Sequence, residues 1–366
     1  MTTQPLILLA AGGTGGHLFP AEALAIELMK RGFRVRLATD SRALRYTGLF
    51  SRDTIDVVPS ETVRGRNPLS LARTGLMLAA GMVVALNLVR RLEPAAVVGF
   101  GGYPTLPPLI AARLLRVPVV IHEANAVLGR ANRFLSRRVS AIATSLPGVL
   151  DRDPELASKT TTVGMPMRPA ILAASGVKFA VSDATGPFRL LVTGGSQGAR
   201  VMADVVPGAI EKLEPSLWSR LVLTQQVREE DMARVRAVYD RLKINAELAP
   251  FFNDLPARLA ANHLIISRSG AGTVSELAAI GRPSVLVPLP GSIDQDQFAN
   301  AGVLSEAHGA LRIPQSEFTS DRLAAEISAL AAEPLRLAAM AAAARTVGRL
   351  DAAERLADLV VKVAGI

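Results

Sequence analysis

The sequence predicts two α/β domains in tandem, each a parallel sheet covered by helices on both faces. Three observations carry this. Short apolar, β-branched runs bounded by Gly and Pro alternate with helical periodicity along all 366 residues, the pattern of strands buried on both sides. A strand–glycine–helix layout, "LLAAGGTGGHLFPAEALA" at 8–25, returns as "LLVTGGSQGARVMADVV" at 190–206. The glycine pairs open at Gly12 and Gly194, so the offset is 182 (194 − 12), close to half the chain and a repeat at domain scale. The length itself exceeds what one core usually carries.

Taken in order, "LILLAA" (6–11) reads as a buried strand, followed by a helix from about Phe19 to Arg31 that stops at Gly32. "RVRLAT" (34–39), "AAVVGF" (95–100), "VPVVIHE" (117–123) and "SAIATS" (140–145) are the later strands of the first half. "FRLLVTGG" (188–195), "SRLVLTQ" (219–225), "NAELAPF" (245–251), "HLIISRSG" (263–270) and "PSVLVPL" (283–289) repeat the scheme. Two Rossmann-like domains account for the set. The expected limits are 1–165 for the first domain, 166–187 for a surface linker and 188–347 for the second domain. Residues 348–366 form a helix that could cross back to the first domain.

Composition narrows the chemistry. With no cysteine, thiolate nucleophiles, disulfides and zinc–thiolate sites are excluded, and no signal peptide is visible at "MTTQPLILLAAGG". The net charge is +9, and only six of the 41 basic residues are lysine. An arginine excess suits phosphorylated substrates, anionic lipid or nucleic acid, or is simply spread over the surface.

A glycine loop between strand and helix exposes backbone N–H groups at a helix N-terminus, where anions bind. Neither loop is a good dinucleotide fingerprint, although Asp40 lies where a ribose-binding acid would follow, and no P-loop occurs. A third loop, "SRSGAGTVSELAAIGRP" (267–283), opens a helix with Ser269, Gly270, Ala271, Gly272 and Thr273. Small and hydroxyl residues there form a diphosphate cradle, and Glu276 one turn later could take both hydroxyls of a ribose. Downstream, Asp294, Gln295, Asp296 and Gln297 could read sugar hydroxyls.

In order, "GGTGGH", "GFGGYPTLP", "HEANAVLG", "VGMPMRP", "GGSQGA", "SRSGAGTVSE" and "DQDQFANA" make the chain resemble the MurG-type N-acetylglucosaminyltransferases of glycosyltransferase family 28, from about Leu6 to Val363. The resemblance implies the GT-B architecture, two Rossmann-like domains facing across a cleft. It implies a hexosyltransferase that moves N-acetylglucosamine, with inversion, from UDP-N-acetylglucosamine to an undecaprenyl-linked muramoyl-pentapeptide in peptidoglycan synthesis. It also implies a peripheral enzyme on the cytoplasmic face of the bacterial membrane and a place in a cell-wall synthesis complex.

By the same resemblance, Ser196 and the helix start at Ala271, Gly272 and Thr273 contact the diphosphate, Glu276 the ribose, and the Phe252 backbone the uracil. Gln295 and Gln297 lie in the sugar-binding segment, and Arg168 faces the leaving diphosphate. Thr14, Gly15, Gly16, Tyr103 and Asn125 line the acceptor side. For the base, His17 ranks above Glu123, and His122 reads as packed. Ala203 stands where the family commonly has Asn, so that residue's role does not carry over. A helix N-terminus and an arginine can stabilise departing UDP without a metal or other cofactor, and the "DRD" at 151–153 reads as solvated surface.

"RTGLMLAAGMVVALNLVRR" (73–91) is short for a spanning helix. It reads either as a core helix or as one resting Leu76, Met77, Ala80 and Val83 in the bilayer interface, with Arg133, Arg137 and Arg138 as a rim for anionic lipid. Other UDP-sugar enzymes of this architecture, a diacylglycerol glycosyltransferase or a 2-epimerase, are separated by acceptor dependence. A nucleic-acid-binding protein lacks a stacking platform at 4% aromatics. A dehydrogenase is weakened by both imperfect fingerprints.

Overall fold

The computed structural model describes residues 4–12, 15–41, 48, 50–60, 68–181, 183, 185–195 and 198–366, without the side chains of 68–74 and 293. Thr14 and Ser196 lie outside the described residues. The chain divides into two compact units, Met1–Arg168 with Leu350–Ile366, and Pro169–Arg349.

Among the described residues the first unit holds seven parallel strands: β1 (Leu6–Ala10), β2 (Arg34–Thr39), β3 (Ile55–Val57), β4 (Ala96–Gly99), β5 (Val119–Glu123), β6 (Ala141–Thr144) and β7 (Thr160–Thr162). Their order is β3-β2-β1-β4-β5-β6-β7, so the winding reverses between β1 and β4. The register pairs Leu8 with Arg36 on one side and Val97 on the other. Alternate residues of β1 enter different cores, as the two-residue repeat of a strand requires. Ile7 and Leu9 pack with Leu18 and Leu24 of the helix Gly15–Lys30, and Leu8 packs with Leu88, Val89 and Leu109.

The helix Ala352–Ala364 closes the Ile7 side, where Leu356, Ala357 and Val360 are buried. Arg31 reaches the same helix, donating to Asp358 at 2.6 Å and to the Glu354 carbonyl at 3.3 Å.

Among the described residues, six parallel strands form the sheet of the second unit: β8 (Phe188–Thr193), β9 (Leu221–Gln226), β10 (Ala246–Ala249), β11 (Leu264–Ser267), β12 (Ser284–Leu286) and β13 (Ala310–Arg312), in the order β10-β9-β8-β11-β12-β13. Its winding reverses between β8 and β11. In open α/β sheets, ligands bind beyond the carboxyl ends of the strands at such a reversal.

Three expectations need correction. The first helix begins at Gly15, not near Phe19, because a glycine lets the first turn lie against the Phe19 ring, which a Cβ at Gly15 would meet at 2.8 Å. The expected linker at 166–187 contains the helix Pro169–Ser175. That segment is tied down in the second unit, where Arg345 donates to the Ser175 carbonyl and Arg282 to the Val177 carbonyl. The short edge strands β3, β7 and β13 (IDV, TTT and ALR) carry no apolar run that would announce them.

Because Leu356 is fully buried against the first sheet, Leu356→Ala should destabilise the first unit by about 2–5 kcal/mol. Calorimetry of the full chain should show the first unit's transition moving while that of Pro169–Arg349 stays in place.

Candidate active site

In the first unit the sites converge at the carboxyl ends of β1, β4 and β5. Glu123 ends β5 and is 2% exposed. Its Oε1 accepts from the Asn125 N–H at 3.0 Å and Asn125 Nδ2 at 3.2 Å. Its Oε2 accepts from the Gly129 N–H at 2.9 Å and Asn132 Nδ2 at 2.8 Å. Four donors offset the cost of burying this charge, so the "ANAVLG" turn is wrapped around the carboxylate.

His17 stands in the first turn of the helix after β1. Its ring lies along the backbone that follows β4. A Cβ would come within 3.4 Å of the His17 ring at Gly101 and within 3.5 Å at Gly102. Both glycines have positive φ, 86° and 80°, which side chains rarely adopt. Burial lowers the His17 pKa, while the Glu123 charge and the Phe100 carbonyl act more weakly in the opposite sense. Among the described residues, Nδ1 of His17 and Oδ1 of Asn132 are buried without a hydrogen-bond partner.

Two further contacts tie this cluster together. Pro104 occupies the space a side chain at Gly12 would need, which interlocks the loops after β1 and β4. Tyr103 is half-buried beside Pro104 in the turn Tyr103–Thr105 after β4. The Arg168 guanidinium lies 4.0 Å from the centre of the Phe19 ring, held beside the first helical turn by a cation–π contact. Gly15 and Gly16 belong to that turn. Asp40 is buried and approaches Gly12, as packing rather than as an open ribose-binding group.

His122 is a packing residue. It is fully buried, its Nε2 lies 3.2 Å from the Gly164 carbonyl and 3.1 Å from Ser145 Oγ, and its ring packs at a tilt against Phe100, with centroids 5.4 Å apart. Burial pushes its pKa down to about 4.

In the second unit the glycine loop after β8 makes a turn too tight for side chains. A Cβ at Gly194 would collide with Ala199, and Gly195 has φ 81°. Gln226, at the end of β9, grips the near side of this loop, and Arg228 donates to the Gly198 carbonyl at 3.0 Å on the far side.

The helix Ala271–Ile280 starts after β11, capped by Gly270. Ala271, Gly272 and Thr273 are half-buried in its first turn, and Glu276 is half-buried one turn on. Side chains at Gly270 or Gly272 would meet nothing within 4 Å, so this helix start has open space above it. Ser269 Oγ donates to the Gln297 carbonyl at 2.7 Å, and Asn300 Nδ2 donates to the Ser269 carbonyl at 3.2 Å. The 294–300 segment is thereby drawn to the cradle. Gln297 also accepts from the Leu289 N–H at 3.0 Å, whereas Gln295 is exposed. Asp294 and Gln295 both hold φ 55°, left-handed geometry that is costly for side-chain-bearing residues. Phe252 is buried beneath the Arg258 guanidinium at 4.4 Å, in the turn that follows β10.

Gln226, Arg228 and Asn132 were not singled out in the sequence. The available signal was positional: the first two end the apolar run "LVLTQQ" or follow it. No cluster of three or more His, Asp or Glu side chains suited to a metal occurs among the described residues.

The helix Pro68–Leu92 has a buried face, with Ala85, Leu88 and Val89, and an exposed apolar face. Leu76 is 73% and Val83 60% exposed, and Ala80 lies beside them. Met77 is half-buried, a correction to its expected place on the outer face, because it sits toward the packed side of the helix. Arg133 and Arg138 are exposed, the second lying 5.3 Å from the Phe134 ring centre. Arg137 is also exposed and pairs at the surface with Asp153 at 2.9 Å and with Glu155.

Residues 7–144 match the glycosyltransferase family 28 N-terminal domain, and residues 189–356 match the family's C-terminal domain. The chain belongs to glycosyltransferase family 28. Relatives from Nitrobacter hamburgensis (80% identical, covering 100% of this chain and 98% of that protein) and Bradyrhizobium diazoefficiens (78%, covering 100% of both) share one name. That name is UDP-N-acetylglucosamine--N-acetylmuramyl-(pentapeptide) pyrophosphoryl-undecaprenol N-acetylglucosamine transferase. The crystal structure of Acinetobacter baumannii MurG matches with a TM-score of 0.80 at 29% identity, over 98% of this chain and 100% of that one. The architecture is GT-B. A UDP-GlcNAc 2-epimerase from Neisseria meningitidis shares the fold with a TM-score of 0.69 at 13% identity, over 98% of this chain and 100% of that one.

His122 makes the first unit sensitive to acid. Its folded-state pKa of about 4 lies below the ordinary 6.5, so the unfolded chain binds the extra proton between those values. Its stabilisation is complete above about pH 6.5 and is lost as pH falls toward 4, by up to about 3 kcal/mol. Urea denaturation across this range should show the loss, and His122→Gln should flatten it.

Proposed function

We propose that this chain transfers N-acetylglucosamine from UDP-N-acetylglucosamine to undecaprenyl-diphospho-N-acetylmuramoyl-pentapeptide, converting lipid I to lipid II with a new β-1,4 linkage. The observation that carries this is 80% identity across the whole chain to a transferase named for these substrates. The acceptor hydroxyl attacks the anomeric carbon, the bond to UDP breaks with inversion, and the hydroxyl proton passes to a base.

His17 is that base. Burial favours its neutral, proton-accepting form. Glu123, with four donors on its carboxylate, is a positioning group: it orders the 124–129 turn and holds negative charge near the imidazolium that forms. Tyr103, Asn125, Thr14, Gly15 and Gly16 line the acceptor side.

On the second unit, the helix start at Ala271, Gly272 and Thr273, together with Ser196, takes the diphosphate through backbone N–H groups and the helix dipole. Glu276 holds the ribose, the Phe252 backbone the uracil, and Gln297 the sugar. Exposed Gln295 is the weaker sugar contact. Arg168 neutralises the charge that UDP gains on leaving, and no divalent metal is required.

The exposed face of the helix Pro68–Leu92 rests in the bilayer interface, with Arg133 and Arg138 toward anionic headgroups. This makes the enzyme peripheral, on the cytoplasmic face where its lipid-linked acceptor is reached.

The deciding experiment supplies purified protein with labelled UDP-N-acetylglucosamine and a short-chain muramoyl-pentapeptide lipid, in EDTA, with diacylglycerol as control acceptor. Label should enter the muramoyl lipid alone; transfer to diacylglycerol, or none, would overturn the acceptor assignment. His17→Ala should lower kcat by about 10²–10⁴. The acid limb of kcat/KM should lie below 6.5, because the neutral form of His17 persists to lower pH than usual. Glu123→Gln removes the charge that raises the His17 pKa and should move the residual limb to still lower pH. Replacing Leu76 and Val83 together by Glu should cut flotation with anionic vesicles while leaving the melting temperature unchanged.

A further inference from the structure

Gln226 is 6% exposed and has its full hydrogen-bonding capacity in use. Its Oε1 accepts from Thr193 Oγ1 and from the Gly194 N–H, both at 2.9 Å. Its Nε2 donates to the Gly195 carbonyl at 3.0 Å and to the Pro250 carbonyl at 3.1 Å. Thr193 Oγ1 in turn accepts from the Gly195 N–H at 3.3 Å. One carboxamide therefore grips the last residue of β8, the two glycines that follow it and, at the same time, the turn after β10.

The sheet order makes this possible. β9 lies between β8 and β10, so a side chain at its carboxyl end is the natural bridge between the loops on either side. Those loops have different duties if the donor sits on this unit: one faces the diphosphate, and the turn at 250–252 faces the base. A nucleoside diphosphate is a nearly fixed-length ligand whose two ends must be met together. Loops that wander independently would have to be ordered by the ligand, at a cost in affinity.

We propose that Gln226 is a positioning residue for the nucleoside diphosphate donor, setting the distance between its phosphate-facing loop and its base-facing turn before the donor arrives. This rests on the reading that UDP-N-acetylglucosamine binds the second unit. It assigns Gln226 no contact with the reacting atoms.

The test uses the full-length enzyme. Gln226→Glu keeps the shape and the acceptors for Thr193 and Gly194, but turns the two donors into an acceptor facing the Gly195 and Pro250 carbonyls. Thr193→Val is the gentler companion, removing only the links through that hydroxyl, and it decides the matter if the first variant does not fold. KM for UDP-N-acetylglucosamine should rise about tenfold in Gln226→Glu, and less in Thr193→Val, with kcat and the acceptor KM nearly unchanged. A merely structural role would reduce the folded fraction, lowering kcat with both KM values intact, and that result overturns the proposal. Glu276→Ala is measured alongside. If it raises the donor KM while Gln226→Glu and Thr193→Val do not, the inference fails and the placement of the donor stands. If all three leave the donor KM unchanged, the placement itself fails.

Discussion

One buried carboxylate organises the first unit's site. Glu123 sits at the end of a central strand with both oxygens accepting two N–H groups each. Without those donors the charge could not be buried; without the charge the turn that follows would have no centre to fold around. The helix Arg130–Ser136 starts where this turn ends. The His17 imidazole, packed on the glycine backbone after β4, sits within the field of the same charge. The carboxylate thus sets the loop's shape and partly opposes the burial that lowers the His17 pKa.

The second unit solves the same problem with a neutral group. Gln226 also ends a central strand, is also buried, and also spends all its hydrogen bonds on the loops around it. The difference fits the ligands proposed for the two units. A carboxylate beside an imidazole supports a positive charge, whereas a carboxylate at the loop after β8 would repel the diphosphate proposed to bind there. An amide holds glycine backbone as firmly and adds no charge.

Much of this was legible in the sequence, for physical reasons. The doubled strand–glycine–helix layout and the apolar runs of central strands follow from burial on both faces, so β1, β4, β5, β8 and β11 could be read directly. His17 and Glu123 stood out as candidates because one closes the first glycine loop and titrates near neutral pH, and the other stands at the carboxyl end of a strand, where α/β proteins bind ligands. The edge strands β3, β7 and β13 escaped because three-residue pieces with one solvated side carry no pattern. The helix start at Gly15 escaped because glycine signals a loop, while here it permits close packing with Phe19. Gln226 and Asn132 escaped because their partners are distant in sequence, Thr193 and Pro250 for one and Glu123 for the other. Sequence spacing does not report such contacts.

The return of residues 350–366 to the first unit has a consequence for biogenesis. Leu356, Ala357 and Val360 complete an apolar layer whose other side is made from Ile7, Leu18 and Leu24. On the ribosome, that layer stays uncovered while the whole of 169–349 is made, on the order of 10–40 s at ordinary elongation rates. The first half of the nascent chain therefore leaves the ribosome with an adhesive stripe, and its last turns act as the latch that ends this exposure. Chains cut short near the C-terminus would keep the stripe and become clients for chaperones and proteases, even with every residue of both sites already synthesised.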